Sequence, residues 1–291
     1  MKLRPDDKVP GSNAVGVVHH CRASADEMGV KPGMRIATIM QPNGSNARYL
    51  SLPASEVLPV PRHLDACDIS CVTTAYLPAF QALHHGIDRP HRYSRTCLEG
   101  RRVLIVGGDQ LIAQATIRLA QLAGATYVYI SAPRCIKSSL QKHTAFVLDE
   151  DPTEWSKEVY GSMDVIIDYQ FPANFDDVKN CMAPKSRLVC CTPGSWGRKE
   201  ASSLWTDLHK FAECLLLSSI KRATLFDFQE SYKTKKYELK EDLQFLLTAL
   251  TRRHIRPQID RYVMLTDVPD VYREIKSIPP TGSIICEPWR E

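Results

Sequence analysis

The chain predicts an α/β fold, a doubly wound parallel sheet carrying a second, smaller β-rich domain. Three observations predict it. From Val103 onward, apolar strand-like runs alternate with helical stretches, the pattern of parallel βαβ units with right-handed crossovers. One unit, Arg102 to Ile130, reads without a break as strand, glycine turn, helix and second strand. The first 60 residues differ: they are short β segments punctuated by Pro10-Gly11, Pro32-Gly33 and Asn43-Gly44, a barrel or sandwich texture.

Taken in order, β segments are predicted at Gly16-Val17-Val18, Arg35 to Met40, Ala47 to Leu52 and Val57 to Val60. From Asp65 to Gly86 the spacing turns helical, with Ala66, Ile69, Val72, Ala75, Ala79 and Leu83 on one face and Pro78 as an expected interruption. Residues 90–100 are polar and loop-like. Beyond the βαβ unit, strands are predicted at Ala145 to Leu148, Val165 to Asp168, Arg187 to Cys191 and Thr224 to Phe228. A helix follows at Leu239 to Arg253, with Leu243, Leu246, Leu247 and Leu250 on one stripe. Then come a strand at Gln258 to Leu265, a helix at Val268 to Ser277 and a last strand at Ser283 to Cys286. Three parts are expected: residues 1–72 as a partial barrel domain, 73–254 as the dinucleotide-binding domain, and 255–291 returning to complete the barrel.

Composition narrows the function classes. Of 291 residues, 44% are hydrophobic and 24% charged, a globular balance that argues against disorder. Apolar runs are too short to cross a bilayer. A net charge of +4 with scattered lysines and arginines gives no electrostatic footprint for nucleic acid. The ten cysteines fall mostly in apolar stretches with no signal peptide, so reduced thiols in a cytoplasmic protein are expected. Cys67 with Cys71, and Cys190 with Cys191, lack the further paired ligands of a zinc site, so no metal is expected.

The Arg102–Ile130 unit is the opening βαβ of a Rossmann-type dinucleotide-binding fold, and its glycine turn is eroded. Such a turn uses one glycine for the bend, one where backbone approaches pyrophosphate, and one where helix packs on strand. Only Gly107 and Gly108 remain, at the front. If a later position needs a left-handed backbone, a Cβ there costs roughly 1–2 kcal/mol, about tenfold or more in affinity. Asp109 also brings a negative charge towards the phosphates.

The order of segments resembles the medium-chain dehydrogenase/reductase superfamily, in its zinc-independent quinone oxidoreductase and enoyl reductase branch. The resemblance runs through Val9 to Val18, Val30-Lys31-Pro32-Gly33-Met34-Arg35-Ile36-Ala37, Gly44 to Tyr49, Ala75 to Leu83, the βαβ unit, Ile255 to Asp260 and Thr281 to Cys286. It implies a partial GroES-like β-barrel beside the Rossmann-type domain. Asn13 and Ala14 stand where zinc-using members carry a His-Glu pair, so the chemistry implied is hydride transfer from a reduced nicotinamide to a quinone or activated double bond, without metal.

The resemblance places the cofactor along Gly107, Gly108, Gln110, Leu111 and Ile112, with Asp168 and Thr192 at the carboxyl ends of the next strands. Ser131, Arg134 and Lys137 offer a hydroxyl and two cations where an acidic residue would mark NAD, which favours the 2′-phosphate of NADP. Arg134 and Lys137 read equally as surface residues opening a helix. Tyr169, Gln170 and Phe171 follow Asp168 where the family has glycines, and are expected to narrow the pocket. Pro78 replaces a family threonine. The proline-glycine turn falls at residue 10, so the front is shortened, no proton donor is assigned, and an organellar leader stays open; Tyr49 and Tyr76 are the substitutes weighed. Two readings remain: an NADPH-dependent reductase acting on a small molecule as a homodimer, or a catalytically silent relative that binds or interacts.

Overall fold

The structure, a computed structural model, describes residues 9–40, 44–87, 93–142, 146–191, 204–275, 277 and 280–290. The chain divides into two compact units, residues 1–75 with 246–291, and residues 76–245. In chain order the elements are β1 (Ala14–Val17), α1 (Ala23–Glu27), β2 (Arg35–Thr38), β3 (Val57–Pro59), α2 (Ala66–Cys71), α3 (Leu77–His85), β4 (Arg102–Val106), α4 (Leu111–Leu122), β5 (Tyr127–Ser131), α5 (Arg134–Leu140), β6 (Phe146–Leu148) and α6 (Pro152–Glu158). They continue with β7 (Met163–Asp168), α7 (Phe175–Asn180), β8 (Met182–Cys191), α8 (Leu204–Ser219), β9 (Ala223–Phe226), α9 (Phe228–Thr234), α10 (Lys236–Thr251), β10 (Ile259–Met264), α11 (Val268–Glu274) and β11 (Ser283–Glu287).

In the first unit, β1, β2 and β3 form an antiparallel sheet in that order, with Gly16 opposite Ile36 and Ala37 opposite Leu58. Ile36, Ala37 and Leu58 are buried, and since the neighbours Ile36 and Ala37 point to opposite faces, β2 is covered on both. β10 and β11 pair in parallel from Ile259 opposite Ser283 to Met264 opposite Glu287. Ala47 to Leu52, read from sequence as β, forms no strand. This segment is held by side chains instead: Arg48 Nε donates to the carbonyl of Pro288 at 3.0 Å, and Tyr49 meets Trp289 edge-on.

The second unit is a six-stranded parallel sheet in the order β6-β5-β4-β7-β8-β9. Its strands are near-continuous apolar runs because both faces are covered. Leu104, Val106, Ile166, Leu188 and Cys190 point to one face, where Trp155 of α6, Phe175 and Val178 of α7 and Cys214 of α8 complete a buried cluster. The alternate residues Val165 and Val189 face the end of α3 at Gly86. α4 buries Ile112, Ala113, Ala115, Thr116, Ile117, Leu119 and Ala120, a stripe at helical spacing.

Pro78 does not interrupt its helix. α2, a π-helical stretch at Val72–Tyr76 and α3 follow one another without a gap, and Pro78 falls directly after the π-helical stretch, so the helix is locally rewound there and not ended. Among the described residues, no helix is long and apolar enough to cross a membrane.

Candidate nucleotide-binding site

The strand order reverses between β4 and β7: β5 and β6 run outward from one, β8 and β9 from the other. In an open parallel sheet, the carboxyl ends of the strands flanking such a reversal form the crevice where ligands bind. The Gly107–Gly108 turn, at the end of β4, opens onto this crevice.

The two glycines are required for different reasons. Gly107 has φ +99°, a conformation that strains any residue with a Cβ. Gly108 has no room: a Cβ would lie 2.8 Å from the carbonyl oxygen of Ser131 and from Cβ of Ala132. That closeness lets the Gly108 N–H donate to the Ser131 carbonyl at 2.8 Å, tying the turn to the end of β5. Gln110, by contrast, has φ −97° and ψ 137°, ordinary extended backbone. The left-handed strain considered for the lost glycines therefore does not arise there, and the helix simply begins after it.

α4 starts with Leu111, and its N-cap Gln110 makes no side-chain capping bond. The N–H groups of Leu111, Ile112 and Ala113 meet no acceptor among the described residues. Unclaimed amides at a helix start, with the positive end of its dipole, suit an anion. Two acceptors stand beside them: Asp109 Oδ1 and Gln110 Oε1 are shut from solvent and meet no donor among the described residues. The side chain of Gln110 turns back across the crevice, and its Nε2 donates to the carbonyl of Tyr169, just past β7, at 3.1 Å.

The residues after Asp168 leave the crevice less filled than their size suggests. Asp168 is fully buried, and its Oδ1 accepts from the Gln170 N–H at 2.8 Å. The Tyr169 ring tucks under α4, its hydroxyl 2.7 Å from Thr116 Oγ1, and burial pushes its pKa well above the ordinary tyrosine value. The Phe171 ring goes into the core against Phe175 and Phe211. Gln170 stays beside the turn, its Cγ 3.1 Å from where a Cβ on Gly107 would stand, with Tyr169 Cβ at 3.4 Å.

At the end of β5, the Ser131 side chain is buried and its Oγ accepts from the Gly107 N–H at 3.4 Å, so this hydroxyl braces the turn. Arg134 is the first residue of α5, and Lys137 lies in its last turn. The guanidinium of Arg134 lies 3.6 Å from Asp149, one residue past β6. Backbone N–H groups of Glu150 and Asp151, then the Arg134 and Lys137 charges, hold the Asp149 carboxyl below its usual range. The cations foreseen for a 2′-phosphate thus have a carboxylate beside them, which the sequence reading missed because Asp149 is fifteen residues away in the chain. Thr192 lies outside the described residues.

Asn13, at the position of the family's metal-binding pair, is engaged at both ends: its Nδ2 donates to Thr74 Oγ1 at 3.0 Å, and its Oδ1 accepts from the Met40 N–H at 3.0 Å. Among the described residues no three His, Cys, Asp or Glu side chains cluster in a way that holds a metal ion. Of the weighed proton donors, Tyr76 is buried and Tyr49 is 69% exposed.

The residues present fit the pyrophosphate of a dinucleotide in two respects, a glycine turn that excludes any Cβ and a helix start with unclaimed amides, while the Asp109 side chain opposes it. Known proteins carry the same arrangement of elements. A family model described as zinc-binding dehydrogenase matches residues 141–285. A highly reducing polyketide synthase, azaB of Aspergillus niger, is 24% identical over 227 residues, 74% of this chain; the chain spans only 8% of that relative's length. Among solved structures, the JamJ enoyl reductase superposes with a TM-score of 0.75 at 16% identity, over 97% of this chain and 79% of that one. A mycobacterial protein complexed with NADPH superposes with a TM-score of 0.70 at 18% identity, over 96% and 82%.

Proposed function

Starting from the medium-chain dehydrogenase/reductase superfamily, to which this chain belongs, we propose that it is an NADPH-dependent oxidoreductase reducing a quinone or an α,β-unsaturated carbonyl compound without zinc. One observation carries the reading: the Gly107–Gly108 turn and the unclaimed amides of Leu111 and Ile112 stand at the point where the strand order reverses. A bound nicotinamide would supply the hydride. Gly107, Gly108, Leu111 and Ile112 would hold its pyrophosphate, and Arg134 and Lys137 the 2′-phosphate. Asp168 and Thr192 would line the nicotinamide side. Asn13, tied to Thr74 and Met40, supports chemistry without a metal. The enoyl reductase and NADPH-complexed neighbours support the substrate class and the cofactor.

The test is titration of NADPH and NADH into the purified chain, followed by nicotinamide fluorescence and thermal unfolding. A ligand at 100 times its dissociation constant adds about 2.7 kcal/mol of stability. Stabilisation by NADPH at micromolar concentrations is the expected result, and none at millimolar concentration refutes the reading. The active form is read as a homodimer joined through the edges of the cofactor-domain sheets, which a strict monomer in light scattering contradicts. A second reading, a catalytically silent binding module, is favoured by the Gln110 side chain lying across the crevice. Cofactor binding without turnover of any quinone or enone would select it.

A further inference from the structure

Gln110 stands where the turn of the family it resembles has a glycine, and its side chain joins the two halves of the sheet: from the start of α4, beside β4, its Nε2 donates to the Tyr169 carbonyl beyond β7 at 3.1 Å. That bond spans the crevice at the reversal of strand order. The same Nε2 lies 3.3 Å from where a Cβ on Gly107 would stand, so the amide rests over the bare backbone of Gly107.

We propose that Gln110 is a latch over the dinucleotide site, closed in the free protein, which a dinucleotide must displace in order to bind. This rests on the functional reading above. The latch is poised to open because it is only half satisfied. Its nitrogen is bonded, while Oε1 is buried with no donor among the described residues, a state that opposes the gain from the single bond. Opening it costs one hydrogen bond to Tyr169 and relieves the stranded oxygen. The backbone needs no change, since φ −97° and ψ 137° suit any residue. The latch faces the pyrophosphate, which NADH and NADPH share, so it discriminates neither; it sets affinity for both.

The experiment measures dissociation constants for NADPH and NADH by fluorescence titration of the wild type, Gln110→Ala and Gln110→Gly, beside thermal unfolding of each free protein. The latch predicts opposite signs: the free variants melt lower, having lost the bond to Tyr169, yet bind both dinucleotides more tightly, by about tenfold, equivalent to about 1.4 kcal/mol. Binding by the variants with none by the wild type at millimolar concentration refutes the functional reading of this chain, and the latch, which supposes that a dinucleotide displaces it, falls with that reading. If the variants bind no more tightly, or more weakly, Gln110 is a brace or a cofactor contact and the latch is overturned while the functional reading stands. If none of the three binds either dinucleotide at millimolar concentration, the functional reading fails and the latch fails with it.

Discussion

The hydroxyl of Tyr169 donates to Thr116 Oγ1 at 2.7 Å beneath α4. The direction follows because the threonine's one proton is already given to the Ile112 carbonyl, 2.8 Å away. A large residue following β7 is thereby anchored under the helix instead of standing in the crevice. Tyr169→Phe should keep the ring in place and lose one buried bond, lowering stability by about 1 kcal/mol in urea unfolding. Dinucleotide affinity should not change; a marked loss of affinity would show that the ring shapes the site after all.

The two glycines should respond differently to alanine. Gly107→Ala forces a Cβ into φ +99°, at roughly 1–2 kcal/mol, and its nearest neighbour, Gln170 Cγ, belongs to a side chain that can move. Gly108→Ala meets the Ser131 carbonyl at 2.8 Å, so backbone must shift and the tie to β5 stretches. Overpacking of that kind costs about 1–3 kcal/mol. Gly108→Ala should therefore disturb β5 and weaken dinucleotide binding the more of the two, checked by urea unfolding with cofactor titration. The reverse ranking would contradict the packing argument.

The fold was legible wherever a hydrophobic period was strong. β4 and α4 are the clearest case: five strand residues with four buried, then a helix whose inward stripe recurs at helical spacing. Tyr49 and Leu50 misled because alternation alone does not say whether a neighbouring strand exists to pair with. Pro78 is expected from sequence to interrupt its helix; instead the run continues, with a π-helical stretch at Val72–Tyr76 directly before it. At the site, the glycine turn could be read directly. The contacts that decide its chemistry could not: Gln110 to Tyr169 and Arg134 to Asp149 join distant parts of the sequence, and only the parallel register brings them together.

Buried thiols should make the protein sensitive to base. Burial, then the nearby Asp177 charge, pushes Cys181 up to about 12, and burial pushes Cys71 up to about 11, from an ordinary value of 9.0. A thiol whose folded pKa is raised loses its proton more readily when unfolded. Its contribution to stability is therefore complete below about pH 9 and is lost as pH climbs from there towards 11–12. Urea unfolding at pH 7.5 and pH 10.5 should show the loss, and Cys181→Ala should lose less between those two pH values than the wild type. An equal loss in both proteins would rule out Cys181 as a source.

Asp149 sits beside the two cations assigned to the 2′-phosphate, so the choice between NADPH and NADH should turn on all three residues. An exposed ion pair such as Arg134 with Asp149 contributes little to stability. It does matter to an incoming phosphate, which must share the guanidinium with a carboxylate and sit within reach of its charge. Asp149→Asn should thus raise affinity for NADPH and leave NADH nearly unchanged, with melting temperature within a degree or two. Arg134→Ala and Lys137→Ala should weaken NADPH alone, by several-fold each, since a charge-assisted bond is worth about 1.5–3 kcal/mol before solvent screening. Titrating both dinucleotides into the three variants tests the assignment in both directions. Equal losses of NADH and NADPH on removing the cations, or a gain for NADH when Asp149 is neutralised, would move the 2′-phosphate away from this corner of the sheet.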